Sequence, residues 1–257
     1  MEAQKIRIRG LVQGVGFRPL VWQIAKQFHL RGEVINDGEG VLIKAWGSAT
    51  QLDGFCQTLL KNPPPLARID SIDRQSLAET APAKGFIIGS SQHATVNTGI
   101  IADAATCPAC CKEIFDPLER RYRYALSNCT HCGPRLSIIR AIPYDRANTS
   151  MSAFALCPAC RQEYQDPCDR RFHAQPTACA VCGPRVWLAD QQGNPLDPKS
   201  FQAIDAIDAA SRLLAQGKIL AIKGIGGFHL TCDASNDDSV RRLRLKKQRD
   251  QKPLALM

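Results

Sequence analysis

The chain has 257 residues, 44% of them hydrophobic and 22% charged, with twelve cysteines and a formal net charge of +9. This is a globular composition with no run of about 18 apolar residues, which excludes a membrane-spanning helix. The opening MEAQKIRIRG lacks the apolar stretch of a secretory signal, so a cytoplasmic protein is expected.

Residues 1–90 read as alternating strands and helices. In KIRIRGLVQ, Ile6 and Ile8 share one face while Lys5, Arg7 and Arg9 share the other, the pattern of a half-buried strand. A turn with Gly14 and Gly16 follows, and Pro19 suits the first turn of a helix carrying Val21, Ile24, Ala25 and Phe28 on one face. Strands are expected at Glu33–Asn36 and Val41–Trp46. Ser48 and Gln51 form a capping box for a helix over Ala49–Lys61, stopped by Pro63–Pro65. Strands near Ala67–Arg74 and Gly85–Gly89 close the unit. The order predicts a ferredoxin-like βαββαβ sandwich of the α+β class.

The turn is where chemistry is expected. Backbone N–H groups of Gln13, Gly14, Val15, Gly16, Phe17 and Arg18, opening into a helix N-terminus, make an anion cradle. Arg18 adds a permanently charged, forked donor. No Ser, Cys or His in this loop offers a nucleophile, so a hydrolase built here activates water by positioning, and Asn36 supplies an amide for that. The stretches GLVQGVGFRPLVWQIA and GEVINDGEGV resemble the acylphosphatase signature. The resemblance implies that Arg18 binds the phosphate, that Asn36 orients the attacking water, and that the substrate is a carboxyl-type or carbamoyl phosphate.

Residues 91–106 are polar and small, and read as a linker. An internal repeat follows. Cys107, Cys110, Cys129 and Cys132 recur 50 positions on as Cys157, Cys160, Cys179 and Cys182. With them recur Asp116-Pro117 as Asp166-Pro167, Arg120-Arg121 as Arg170-Arg171, and a Gly-Pro-Arg after each second CxxC. Each CxxC presents two thiolates on one tight turn, and two such turns supply the four soft ligands that tetrahedral zinc takes. Redox CxxC pairs would need a thioredoxin-like βαβ pattern, which is absent. Two zinc ions are therefore expected in a small double finger over 107–198. The fingers are too small for a sufficient core, so metal binding supplies roughly 10 kcal/mol or more of their folding energy. The four ligands of each ion can come from one repeat or from both. His131 and His173 are not needed as ligands. A net charge of +1 over 91–198, with no basic aromatic-studded strand, argues against nucleic acid.

Residues 199–257 carry +5. A helix over Ala203–Ala215, with Ile204, Ile207 and Leu214 inward and Gly217 as its stop, precedes a strand at Lys218–Lys223 and a Gly-rich loop, GIGGFHLTCDA. Ser235 or Asn236 then caps a basic helix, and PLALM begins a further strand. GKILAIKGIGGFHLTCDA with LRLKKQRDQKPLALM resembles the start of YrdC-like ATP-binding domains, which implies phosphate contacts at Lys223, Lys247, Arg249 and Lys252. Such a domain is longer than this segment, so a truncated α/β unit of a larger protein is expected.

The order of the three parts, with CGPRLSIIRAIPYDRANTSM and DRRFHAQPTAC, resembles the HypF carbamoyltransferases of nickel–iron hydrogenase maturation. That resemblance implies that carbamoyl phosphate is hydrolysed to carbamate, adenylated with ATP, and passed to the C-terminal cysteine of HypE; this chain would hold only the hydrolysis site complete. The competing readings are a stand-alone acylphosphatase joined to a zinc spacer, and a zinc-based nucleic-acid binder.

Overall fold

The computed structural model describes residues 1–83, 85–91 and 97–257, which fall into two compact units, 1–184 and 185–257. The first unit opens with a five-stranded sheet. Its strands are β1 (Glu2–Leu11), β2 (Arg31–Asp37), β3 (Gly40–Gly47), β4 (Arg68–Ser76) and β5 (Phe86–Ile88), in the order β4-β1-β3-β2-β5. All neighbours are antiparallel except β2 and β5. The register sets Ile6 beside Ile43 and Ile43 beside Val34, and all three are fully buried. Period-2 alternation thus makes one apolar face. Helices α1 (Phe17–Gln27) and α2 (Ala49–Lys61) cover it with Val21, Ile24 and Ala25, and with Leu52, Phe55 and Leu59. This is the expected ferredoxin-like sandwich, with the final strand doubled: β4 and β5 take opposite edges. Both halves of the capping box form, Gln51 N–H to Ser48 Oγ at 3.3 Å and Ser48 N–H to Gln51 Oε1 at 2.8 Å.

Residues 92–96 of the expected linker lie outside the described residues. The rest of it is packed. Asn97 N–H donates to Gly38 O, Thr98 Oγ1 donates to Gly10 O, and Ile101 joins the sandwich core. Ala104 then pairs with Gly133 of the first finger.

The fingers share one plan. Cys107 caps helix α3 (Pro108–Phe115) and Cys157 caps α4 (Pro158–Gln165), each with Pro at the first helical position, where its missing N–H costs nothing. The repeated arginine pairs cross between fingers. Arg120 and Arg121 reach Glu163 at 2.7 and 2.5 Å, while Arg170 and Arg171 reach Glu113 at 2.6 and 2.5 Å. Arg121 Nε donates to Ala178 O and Arg171 Nε to Asn128 O. The second finger also docks on α1: Phe172 meets Trp22 edge-on at 5.7 Å, and Gln23 Nε2 donates to Pro167 O.

The second unit holds hairpin β6–β7 (Leu188–Ala189, Pro195–Leu196), α5 (Ala206–Ala215), hairpin β8–β9 (Leu220–Gly224, Gly227–Thr231) and α6 (Asp237–Lys247). Residues 185–198, expected with the fingers, belong to this unit. Asp205 caps α5 by accepting from Ile207 and Asp208 N–H, so the helix starts later than expected. Ile204 is left outside it and Ile207 on its rim, 75% and 43% exposed, and Ala209 is the buried contact instead. At the other end Gly217, left-handed at φ 77°, donates to Leu214 O and Lys218 N–H to Leu213 O, a Schellman cap. The expected Gly-rich loop contains a strand, β9, because the chain turns at residues 225–226 and pairs back on β8. Residues 253–257, expected as a strand, form no ladder and are irregular.

Candidate functional site: a phosphate cradle roofed by the fingers

Between β1 and α1 the chain turns through Gly14 (φ 76°) and Gly16 (φ 78°), the latter the N-cap of α1. Both glycines are required twice over. The left-handed backbone disfavours a side chain, and a Cβ would meet Tyr144 at 3.3 Å from Gly14 or the Thr130 Cβ at 3.0 Å from Gly16. Val15 and Phe17 point into the core, leaving the loop's backbone to line the concavity. The cleft here, about 330 Å³, is lined by Gly14, Gly16, Arg18, Asn36, Thr130, Arg135, Tyr144 and His173, among others. Its roof comes from the cysteine repeat.

Two of its groups have unused capacity. Asn36 is 2% exposed, and its Oδ1 has no hydrogen-bond partner among the described residues. A buried amide oxygen left unpaired costs about 1–3 kcal/mol, and a water held there removes that cost. Arg18 is buried too, and its Nη2 bonds Asp145 Oδ1 at 2.6 Å and Tyr144 O at 3.4 Å, while Nη1 bonds Ser91 Oγ at 3.1 Å.

Gln13 also ties the loop down through its side chain. Its side chain, 1% exposed, donates to Asp37 O and Gly40 O and accepts from Tyr144 N–H, tying the loop to β2, β3 and the roof. Arg135 makes the second tie. It is 1% exposed and donates to the carbonyls of Cys129, Thr130, Cys132 and Pro134, and to Gly14 O. One guanidinium thus binds a cysteine turn of the first finger to the cradle. Two neighbouring side chains favour their neutral forms: burial, helped by Arg18 and opposed by Asp145, takes His173 down to about 4, and burial raises the Tyr144 phenol to about 12.

The cysteines gather within repeats. Cys107, Cys110, Cys129 and Cys132 form one cluster and Cys157, Cys160, Cys179 and Cys182 the other, each with all Sγ atoms within 4.8 Å. Adjacent sulfurs stand 3.4–3.8 Å apart in the first cluster and 3.6–3.8 Å in the second. Tetrahedral zinc with bonds of about 2.3 Å spaces its sulfurs by about 3.8 Å, so both clusters fit the ion. The choice between sequential and shared ligand sets falls to the sequential one. What is shared is charge: Arg170 Nη1 donates to Cys110 Sγ at 3.0 Å, and Arg120 donates to Cys160 Sγ at 3.5 Å. A four-thiolate zinc centre is doubly negative, and each finger lends the other's centre a cation.

These three features, read against known proteins, converge. The acylphosphatase model matches residues 4–88, the HypF finger model residues 106–139 and 156–189, and the telomere recombination model residues 212–257. Carbamoyltransferase HypF2 of Cupriavidus necator is 54% identical over 98% of this chain, and carbamoyltransferase HypF of Rhodobacter capsulatus 52% over all of it. A crystal structure of full-length HypF in the phosphate- and nucleotide-bound form superposes with a TM-score of 0.87 at 44% identity over 99% of the chain. The chain belongs to the HypF family. It spans about a third of the length of these relatives, 31% and 33% of the two proteins and 32% of the crystallised chain.

Within this HypF-family chain the structure gathers the cradle residues and both cysteine quartets, and the four cations assigned to nucleotide all lie in the second unit, on different segments. Lys223 lies on β8, whereas Lys247 ends α6 and Arg249 and Lys252 follow it in a turn clamped by Arg244, which donates to the carbonyls of Arg249, Asp250 and Lys252. The HypF roof residues Thr130, Arg135, Tyr144, Asp145 and His173 were not singled out for the site. Their partners in the cradle lie more than 100 positions earlier, as with Tyr144 and Gln13 at a separation of 131. The one available signal was the repeat itself: a Gly-Pro-Arg after each second CxxC, one arginine of which is fully used here.

Proposed function

We propose that residues 1–90 are a hydrolase domain that cleaves an acyl phosphate, with carbamoyl phosphate as the substrate the family implies. Backbone N–H groups of Gln13 to Arg18 and the Arg18 guanidinium hold the phosphoryl oxygens, where charge builds in the transition state. Asn36 orients the water that attacks phosphorus, and carbamate leaves. The observation that carries this reading is the unpaired, buried Asn36 Oδ1 in the same cleft as Arg18 and the two left-handed glycines.

Two zinc ions, bound by Cys107, Cys110, Cys129 and Cys132 and by Cys157, Cys160, Cys179 and Cys182, hold the cysteine module rigid; they supply structure and no reaction step. Residues 91–106 join it to the hydrolase. Residues 199–257 open a nucleotide-binding domain, with Lys223, Lys247, Arg249 and Lys252 as phosphate contacts. In the whole protein, ATP activates the carbamate and the carbamoyl group passes to the C-terminal cysteine of HypE, in the cytoplasm. Support for these finer statements comes from the family and from the phosphate- and nucleotide-bound form of the full-length relative. Among the described residues no helix is long and apolar enough to cross a membrane.

Phosphate release from carbamoyl phosphate tests the hydrolase. Arg18→Ala and Asn36→Ala should each lower kcat/KM by about 100-fold or more in a chain that keeps its fold by circular dichroism. Turnover by either variant near that of the parent chain removes the assignment.

A further inference from the structure

We propose that Asp145, from the segment between the fingers, is a positioning residue for the acyl phosphate site: it holds the Arg18 guanidinium in its working place. The inference rests on the hydrolase reading above. Arg18 lies at a border. It lines the roofed cleft with Gly14, Gly16 and Asn36, and also an adjoining, more open cleft with Gly89, Ser91, Asp145 and Arg146. A free arginine side chain samples many rotamers, and one unrestrained on its open side would spread into that second cleft. Asp145 Oδ1 opposes this at 2.6 Å from Nη2 across a separation of 127 residues, with Arg18 8% and Asp145 27% exposed at the side chain. The other two bonds, to Ser91 Oγ and Tyr144 O, are longer, 3.1 and 3.4 Å, and uncharged on the acceptor side.

Asp145 is itself placed by the cradle. Gln13 Oε1 accepts from Tyr144 N–H at 3.0 Å, Asp145 N–H donates to Pro143 O at 2.9 Å, and Asn148 N–H returns to Asp145 O at 2.8 Å. The circuit runs from Gln13 in the phosphate loop through Tyr144 to Asp145, and back to the loop at Arg18. Three bonds among the described residues occupy three of the five N–H donors of the guanidinium. The remaining two, on Nε and Nη1, have no partner among the described residues. Asp145 touches no substrate in this arrangement; it acts through Arg18.

The test compares the chain with Asp145→Ala and Asp145→Asn by steady-state phosphate release from carbamoyl phosphate and by calorimetric titration with inorganic phosphate. Asp145→Ala should lose about 10- to 100-fold in kcat/KM, as a misplaced binding group does, and bind inorganic phosphate about tenfold more weakly. Asp145→Asn, which keeps an oxygen acceptor at the same reach, should recover most of both losses. Zinc content and the circular dichroism spectrum should match the parent in both variants, which separates positioning from folding. Should Asp145→Ala melt early, Asp145→Leu, near in volume and without an acceptor, replaces it. Turnover and phosphate affinity equal to or better than the parent's in the variants without an acceptor would overturn the inference alone, since Asp145 would then be idle or a competitor of the phosphate. A parent chain that neither releases nor binds phosphate would overturn the hydrolase reading, and this inference with it.

Discussion

His173 concentrates several demands on one side chain. It sits at φ 53°, a left-handed backbone that histidine tolerates better than most residues, and packs its ring against Tyr164 and Phe172 at 5.0 and 4.7 Å. It also faces Arg18. Burial first and Arg18 second hold its pKa at about 4, against about 6.5 in an unfolded chain. Between those values the unfolded chain takes up a proton that the folded one refuses, so stability falls as pH drops from about 6.5 toward 4. Urea unfolding at pH 7 and pH 5 should therefore show a larger loss for the parent chain than for His173→Asn, a residue that also accepts the left-handed backbone but does not titrate. Equal losses in the two proteins would mean that the imidazole is protonated in the folded state.

At the scale of elements, the fingers brace each other through reciprocal ion pairs. Arg121 and Arg171 are 2% and 3% exposed at the side chain, and each finds its carboxylate on the other finger. Burial pushes the Glu163 carboxyl up, but the hydrogen bonds from Arg121 and Arg120 outweigh it and hold the group down at about 2. Glu113 is lowered in the same way by Arg171 and Arg170. Removing one member of a buried pair strands the other, at about 3 kcal/mol. Glu113→Gln should thus lower the unfolding midpoint and loosen zinc from both fingers under chelator challenge, and Glu163→Gln should do the same to a similar extent. Loss of zinc from one finger alone in either variant would contradict the cross-bracing. The repeat made the arginine pairs conspicuous in the sequence, yet their partners could not be read from it, because a pair spaced 42 or 58 residues apart leaves no periodic trace. Local signals did better. The capping box placed α2 at Ala49–Lys61, and alternation found β1. They failed where tertiary pairing decides, as in β9, which needed β8 beside it to become a strand.

For the whole molecule, the division of labour inferred from motifs alone changes. The sequence presents a phosphate loop and a zinc module as neighbours in series, the loop complete in itself. The cradle half was readable because Gln13 to Arg18 is contiguous and Asn36 lies on the strand that follows α1. The other half was not, because Thr130, Arg135 and Tyr144 reach it from more than 100 residues away, through the packing of the fingers on the sandwich. The module is therefore part of the hydrolase site as well as its neighbour, and the metal should govern both. Removal of zinc by a strong chelator takes away the tetrahedral restraint on Cys129 and Cys132, whose carbonyls, with those of Thr130 and Pro134, hold Arg135 against Gly14. Phosphate release should fall at least tenfold as the roof detaches. The Trp22 fluorescence, set by its contacts with Phe172 and with Phe86 O, should change in the same titration. The sandwich, with a core of its own, should keep its secondary structure by circular dichroism. Stoichiometric zinc should restore both the fluorescence and the rate. A metal-free chain that turns over acyl phosphate at the parent rate with an altered Trp22 signal would show that the cradle works unroofed, and would return the fingers to a spacer's role.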